Sequence, residues 1–123
     1  MGSVRVLVTR PQPGADRTAA HLAALGFEPV LLPLTQTLAL PQRLPDDRPD
    51  LVVATSPQAF HHLSQALREA LASARVLVTG EGTAAAATEA GLTRAETSGG
   101  NVSGLIDALA GMELSGTRIL YLA

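Results

Sequence analysis

The chain has 123 residues, enough for one ordinary domain or two very small ones. Its nine basic residues, all arginine, meet eleven acidic ones, a formal net charge of −2. That balance lacks the basic excess a nucleic-acid or anionic-membrane protein uses against phosphates, so neither is expected as a partner. Cysteine is absent, which excludes disulfides, thiolate metal sites and a cysteine nucleophile, and three histidines leave little for a zinc site. Aromatic residues make up 2%, too few for base-stacking platforms. No apolar run reaches the roughly 18 residues of a spanning helix, and the N-terminus has no apolar signal core, so a soluble, cytoplasmic chain is expected.

In chain order, short β-branched runs predict strands at 4–8, 29–32, 51–54, 75–78 and 117–122, with a weaker one around 92–96. They are nearly continuous apolar stretches rather than alternating ones, as parallel strands covered on both faces require. Helices are predicted between them. Residues 14–25 form the first, closed by Gly26. The second runs from Ser56 to about Leu71, with Phe60, Leu63, Leu67 and Leu71 on one stripe, Ser56 as its cap and Pro57 at its first position. A short alanine-rich helix covers 82–90 and ends at Gly91; the last carries Val102, Leu105, Ile106 and Leu109, with Gly111 as a left-handed cap. Alternating strands and helices predict an α/β fold of parallel sheets flanked by helices.

Arg-Val-Leu-Val-Thr occurs at 5–9 and again at 75–79, with a looser third copy at 118–122. The stretch from Pro33 to Pro49 breaks the rhythm with four prolines, and it reads as a linker, although Leu34 to Leu40 could be extended. The last residue falls directly on a predicted strand, which is either a final, buried strand or the sign of a fragment of a longer chain.

In open parallel sheets, ligands sit beyond the carboxyl ends of the strands. Four turns reach that edge: Thr9-Arg10-Pro11, Thr55-Ser56-Pro57, Thr79-Gly80-Glu81-Gly82-Thr83 and Ser98-Gly99-Gly100-Asn101. Each joins small or hydroxyl residues to a helix start, where free amides and the helix dipole favour anions. The same residues serve as ordinary caps, but four such turns on one edge favour a shared anion-binding site. Gly80-x-Gly82-x-x-Ala85 with Glu96 sixteen residues on resembles a dinucleotide fingerprint, weakened by Glu81 between the glycines and by the shortness of the helix. A nucleotide-binding module of Rossmann or flavodoxin type using Gly80 and Gly82 is therefore one alternative; a non-catalytic interaction domain with all six strands in one sheet is another. Arg10 is a cation at a strand's carboxyl end, either salt-bridged at the surface or set to meet a substrate carboxylate. His61, His62, Asp46 and Asp47 read as solvated residues, and no triad, carboxylate pair or metal cluster is visible.

Val6-Leu-Val-Thr-Arg-Pro-Gln-Pro13, the helix ending at Leu25-Gly26 and Pro29-Val-Leu-Leu-Pro-Leu34 together look like the start of uroporphyrinogen-III synthase. Asp50-Leu-Val-Val-Ala-Thr-Ser-Pro-Gln-Ala59 is similar to that family's strand, Thr-Ser and helix. Val78-Thr-Gly-Glu-Gly-Thr-Ala84 resembles its Gly-x-x-Thr turn, and Gly91, Asn101–Leu109 and Arg118–Leu122 follow in the family's order. The resemblance spans essentially the whole chain and rests on the ordered set rather than on one motif.

The resemblance implies a lyase of tetrapyrrole and heme biosynthesis. It would dehydrate and cyclise hydroxymethylbilane, with inversion of ring D, through azafulvene and spiro intermediates, using no metal or organic cofactor. It also implies two α/β domains joined by a two-stranded linker, the first domain discontinuous and the site in the cleft between them. On that pattern residues 1–34 open the first domain, 35–49 belong to the linker and 50–123 form most of the second. Family members are roughly twice this length, so the chain would be the N-terminal half, with little turnover alone. The full-length family is expected to be monomeric, whereas apolar surface on the half-chain would favour dimerisation. Substrate contact is carried over to Arg10, Thr55, Ser56, Gly80 and Thr83, with Thr83 a candidate for hydrogen-bonding the departing hydroxyl. The family's catalytic tyrosine falls beyond the last strand, and Tyr121, inside that strand, does not match it.

Overall fold

A computed structural model describes residues 2–43 and 46–123. The chain divides into two compact units, Met1–Leu38 and Ala39–Ala123. The architecture is α/β, with every strand pair parallel.

The first unit is a single β-α-β turn. Strand β1 (Arg5–Val8) pairs with β2 (Glu28–Leu31), and helix α1 (Gly14–Ala24) connects them. The connection ends as predicted at Gly26, whose φ of +89° suits a residue without Cβ. Two strands and one helix enclose little: among the described residues of this unit only Val8, Gly14 and Ala15 are buried. Leu7, Leu32 and Leu34 are 56%, 51% and 70% exposed, so one face of the pair carries apolar side chains to the surface.

The second unit holds β3 (Leu51–Ala54), β4 (Arg75–Val78), β5 (Ala95–Thr97) and β6 (Ile119–Leu122) in the order β5-β4-β3-β6. Its helices are α2 (Gln58–His61), α3 (Gln65–Leu71), α4 (Glu81–Glu89) and α5 (Val102–Ala110). Strand β3 is buried along its whole length, because its alternate side chains enter two different cores. Val52 and Ala54 join Phe60, Leu63, Leu67, Leu71, Ala86 and Leu92 on the face covered by α2, α3 and α4. Leu51 and Val53 join Leu77 and Leu105 on the face covered by α5. The chain steps from β3 through β4 to β5 toward one edge and then returns to set β6 on the other side of β3. Right-handed crossovers in opposite directions put their helices on opposite faces, which is what the two cores show.

Two expectations need correction. The helix predicted over 56–71 is two helices: Ser64 adopts an extended conformation, and its Oγ accepts from Leu67 N at 3.3 Å as the cap of α3. The apolar stripe survives the break, with Phe60, Leu63, Leu67 and Leu71 all buried. The groups freed by the break are met by Gln42, which accepts from Ser64 N at 2.8 Å and donates to the His62 carbonyl. Gly111 has φ −82° and is no left-handed cap; the positive φ in that connection belongs to Gly116. Asp46 and Asp47 are exposed, as expected of solvated residues, and lie 3.5 Å from Arg43 and 3.8 Å from Arg118 in ion pairs of small energetic worth. Of the linker stretch, Leu44 and Pro45 lie outside the described residues; the described remainder forms no helix or strand.

Replacing Phe60, 1% exposed, by alanine is expected to destabilise the second unit by about 3–5 kcal/mol in urea unfolding. Amides of β1 and β2 are expected to exchange with deuterium well before those of β3 and β4, since few buried contacts oppose their opening. Equal protection of the two sheets would contradict the burial pattern.

Candidate functional site

At the carboxyl edge of the second unit's sheet the four strand ends are laced together by hydroxyls and backbone. Ala54 and Val78 are register partners, so the turns Thr55-Ser56-Pro57 and Thr79–Thr83 leave the sheet side by side. Thr79 Oγ1 donates to the Thr55 carbonyl at 3.3 Å. The Gly100 amide donates to the Thr79 carbonyl, and Ser98 Oγ donates to the Val78 carbonyl at 3.0 Å. On the other side of β3, Thr55 Oγ1 lies 3.2 Å from Tyr121 Oη.

Each turn starts its helix differently. Ser56 Oγ accepts from Gln58 N at 3.3 Å, the contact expected of a cap, although regular helix begins at Gln58, one residue later than predicted. Asn101 Oδ1 caps α5 through Gly104 N at 2.8 Å. Helix α4 has extended Gly80 at its cap position and no side-chain cap, so its first amides are open to an outside acceptor. Glu81 stands in that first turn and competes electrostatically with an incoming anion. Thr83 is 5% exposed and does not cap the helix.

Four of the five candidates, Thr55, Ser56, Gly80 and Thr83, therefore gather on two adjacent turns. Arg10 belongs to the first unit. Its guanidinium donates to Thr18 Oγ1 at 3.1 Å and lies over Gly14, where a Cβ would come within 2.6 Å of it. Among the described residues no carboxylate pairs with Arg10, so the salt-bridged reading is not what the structure shows.

The dinucleotide fingerprint gains no support. Neither Gly80 nor Gly82 has a positive φ, and a Cβ at Gly82 would meet nothing within 4 Å, so no tight turn requires glycine there. The left-handed glycines are Gly99 and Gly100, with φ +97° and +91°, in the turn before α5. The alternative with six strands in one sheet is also overturned: the described strands form a pair and a four-stranded sheet. No group of three or more metal-ligating side chains is present among the described residues. No helix of the described residues is long and apolar enough to cross a membrane. A cavity of about 400 Å³ lined by Asp50, Leu51, Arg75, Arg94 and Met112 opens at the amino ends of the strands, away from these turns.

The family model described as uroporphyrinogen-III synthase HemD matches residues 16–123. The chain belongs to the uroporphyrinogen-III synthase family. That family is of the lyase type and serves tetrapyrrole and heme biosynthesis, acting on a small-molecule tetrapyrrole. A search of curated proteins found no match. Sequence reasoning for this uroporphyrinogen-III synthase family member missed Tyr121 as a part of the edge. Its only signal was the alternation of Ile119 and Tyr121 with the core-facing Leu120 and Leu122.

Gly104 supports the same edge. A Cβ there would come within 2.2 Å of the Ser98 carbonyl. Glycine to alanine inside a helix ordinarily stabilises by up to about 1 kcal/mol. Gly104→Ala is expected to do the reverse and lower the unfolding midpoint, with Ser103→Ala as a helix-propensity control of small effect.

Proposed function

We propose that the chain forms the opening of the first domain and most of the second domain of a uroporphyrinogen-III synthase, with residues 35–49 in the inter-domain linker. Its substrate is hydroxymethylbilane, whose terminal hydroxyl leaves as water before the ring closes with inversion of ring D. The observation that carries the reading is the uncapped start of α4 beside the hydroxyls of Thr55 and Ser56, within a chain matched by this family over residues 16–123. Hydroxymethylbilane bears acetate and propionate arms on every ring. Open amides and hydroxyls accept carboxylates without any excess of positive charge, which suits a chain of formal net charge −2.

In this reading Thr55, Ser56 and the amides following Gly80 hold acid arms, and Arg10 is a separate candidate for a charge-assisted contact with a carboxylate. Thr83, almost fully buried, is the weakest of the five as a direct contact. The two-stranded sheet of the first unit leaves Leu7 and Leu32 uncovered, which supports a chain that works with further structure against that face and self-associates without it.

The test supplies hydroxymethylbilane to the chain alone and to the chain mixed with the separately expressed C-terminal half of a full-length family member. Type III product is expected only in the mixture, with the type I isomer from spontaneous closure in the chain-alone tube. Type I product alone in both tubes would count against the reading, and full turnover by the 123 residues alone would overturn the need for a second half. Arg10→Gln is expected to lower the type III yield of the mixture by roughly tenfold, the worth of one hydrogen bond to a charged group.

A further inference from the structure

Strands β3, β4 and β5 run in sequence toward one edge of the sheet, and β6 lies across β3 on the other side. The switch in direction falls between β3 and β6, and the crevice outside the carboxyl ends of two such strands is where open α/β sheets receive ligands. Thr55 and Tyr121 meet there. Tyr121 is the register partner of Val53, two residues before Thr55. Two residues of strand rise about 6.6 Å, a span that the extended phenol covers to reach the threonine hydroxyl. Tyr121 is 57% exposed, and the residues on either side of it, Leu120 and Leu122, are the ones that pack on the core. Burial therefore does not account for a tyrosine at this position.

We propose that Tyr121 is a positioning residue of the anion-binding edge, its phenol donating to Thr55 Oγ1 so that the Thr55 hydroxyl is free to donate to a carboxylate arm of the ligand. The proposal rests on the reading of this edge as the place where acid arms bind. A hydroxyl has one proton to donate and two lone pairs to accept with. Of the two hydroxyls the phenol is the more acidic and the stronger donor, and the alkyl hydroxyl is the stronger acceptor. Thr55 therefore accepts from Tyr121, and its own proton turns outward. The threonine backbone is held at the same time, since its carbonyl accepts from Thr79 Oγ1. At 3.2 Å the Thr55–Tyr121 contact is long for two hydroxyls, so its effect is directional more than stabilising.

Tyr121 is the only tyrosine in a chain without tryptophan, so the near-ultraviolet tyrosine band reports on it alone. A phenol that donates a hydrogen bond absorbs to the red of one that does not, and a phenol that accepts absorbs to the blue. The experiment records that band in the wild-type chain and in Thr55→Val. It then titrates wild type, Tyr121→Phe, Thr55→Val and the double variant with uroporphyrin III, the stable oxidised product carrying the same acid arms. In Thr55→Val the exposed phenol is left to donate to water, so the band is expected to stay in place or move to the blue, with far-ultraviolet dichroism unchanged. Tyr121→Phe is expected to weaken binding by roughly three- to tenfold, the worth of one neutral hydrogen bond, and the double variant to be no weaker than Thr55→Val. A band that moves to the red, as the loss of an accepted hydrogen bond requires, overturns the donor assignment. Wild-type binding with an unchanged Tyr121→Phe overturns this proposal alone, whereas a wild-type chain that takes up no probe overturns the carboxylate role for the pair and the reading on which it rests.

Discussion

Strand β3 has no side that faces water. Val52 and Ala54 enter one core and Leu51 and Val53 the other, and β4 and β6 flank its two edges. A parallel strand buried in this way demands helices on both faces, and short right-handed crossovers can supply both only if the chain reverses its direction along the sheet. The reversal after β5 meets that demand: α2, α3 and α4 cover one face and α5 the other. The crevice between β3 and β6 is a by-product of the same solution. What the fold needs for its core also creates the place where Thr55 and Tyr121 meet.

The chemistry of that edge is built from neutral donors. Thr79, Ser98 and the Gly100 amide are committed to neighbouring carbonyls, which ties the ends of β3, β4 and β5 together. Such bonds contribute about 1 kcal/mol each to stability, but they fix where the remaining donors stand. Ser56 and Asn101 serve their own helices, while α4 begins without a side-chain cap. An uncapped helix start beside half-buried hydroxyls can take a carboxylate without a lysine or arginine in the same turn. Such an edge needs no excess of basic residues, in keeping with a chain that has more acidic than basic side chains.

The first unit obeys the same rules with fewer parts. One helix covers one face of β1 and β2, and the opposite face keeps Leu7 and Leu32 largely exposed. Arg10 is steadied by Thr18 and by the absence of a side chain at Gly14, and no carboxylate of the described residues neutralises it. Its position is set locally, within the first turn of its own β-α-β element.

Fold class was legible because the signals for it are local. Short, β-branched apolar runs at Leu51–Ala54 and at residues 76–78 are the signal of strands covered on both faces, and the positive φ at Gly26 and Gly91 ends helices where glycine announced it. The hydroxyl and glycine turns were legible for the same reason, since a strand end followed by a helix start is written in consecutive residues. Tertiary structure decided the rest. Phe60, Leu63, Leu67 and Leu71 keep helical spacing across a helix that breaks, because Gln42, some twenty residues upstream, satisfies the freed groups at His62 and Ser64. Tyr121 joins the edge only because β6 pairs with β3, a neighbour 66 residues away from it at Thr55. The sequence by itself determined which segments are strands and which turns join strand ends to helix starts, through burial and capping preferences acting over a few residues. Strand order and the partners of Gln42 and Tyr121 came from long-range pairing, where the competing arrangements differ in packing rather than in local preference.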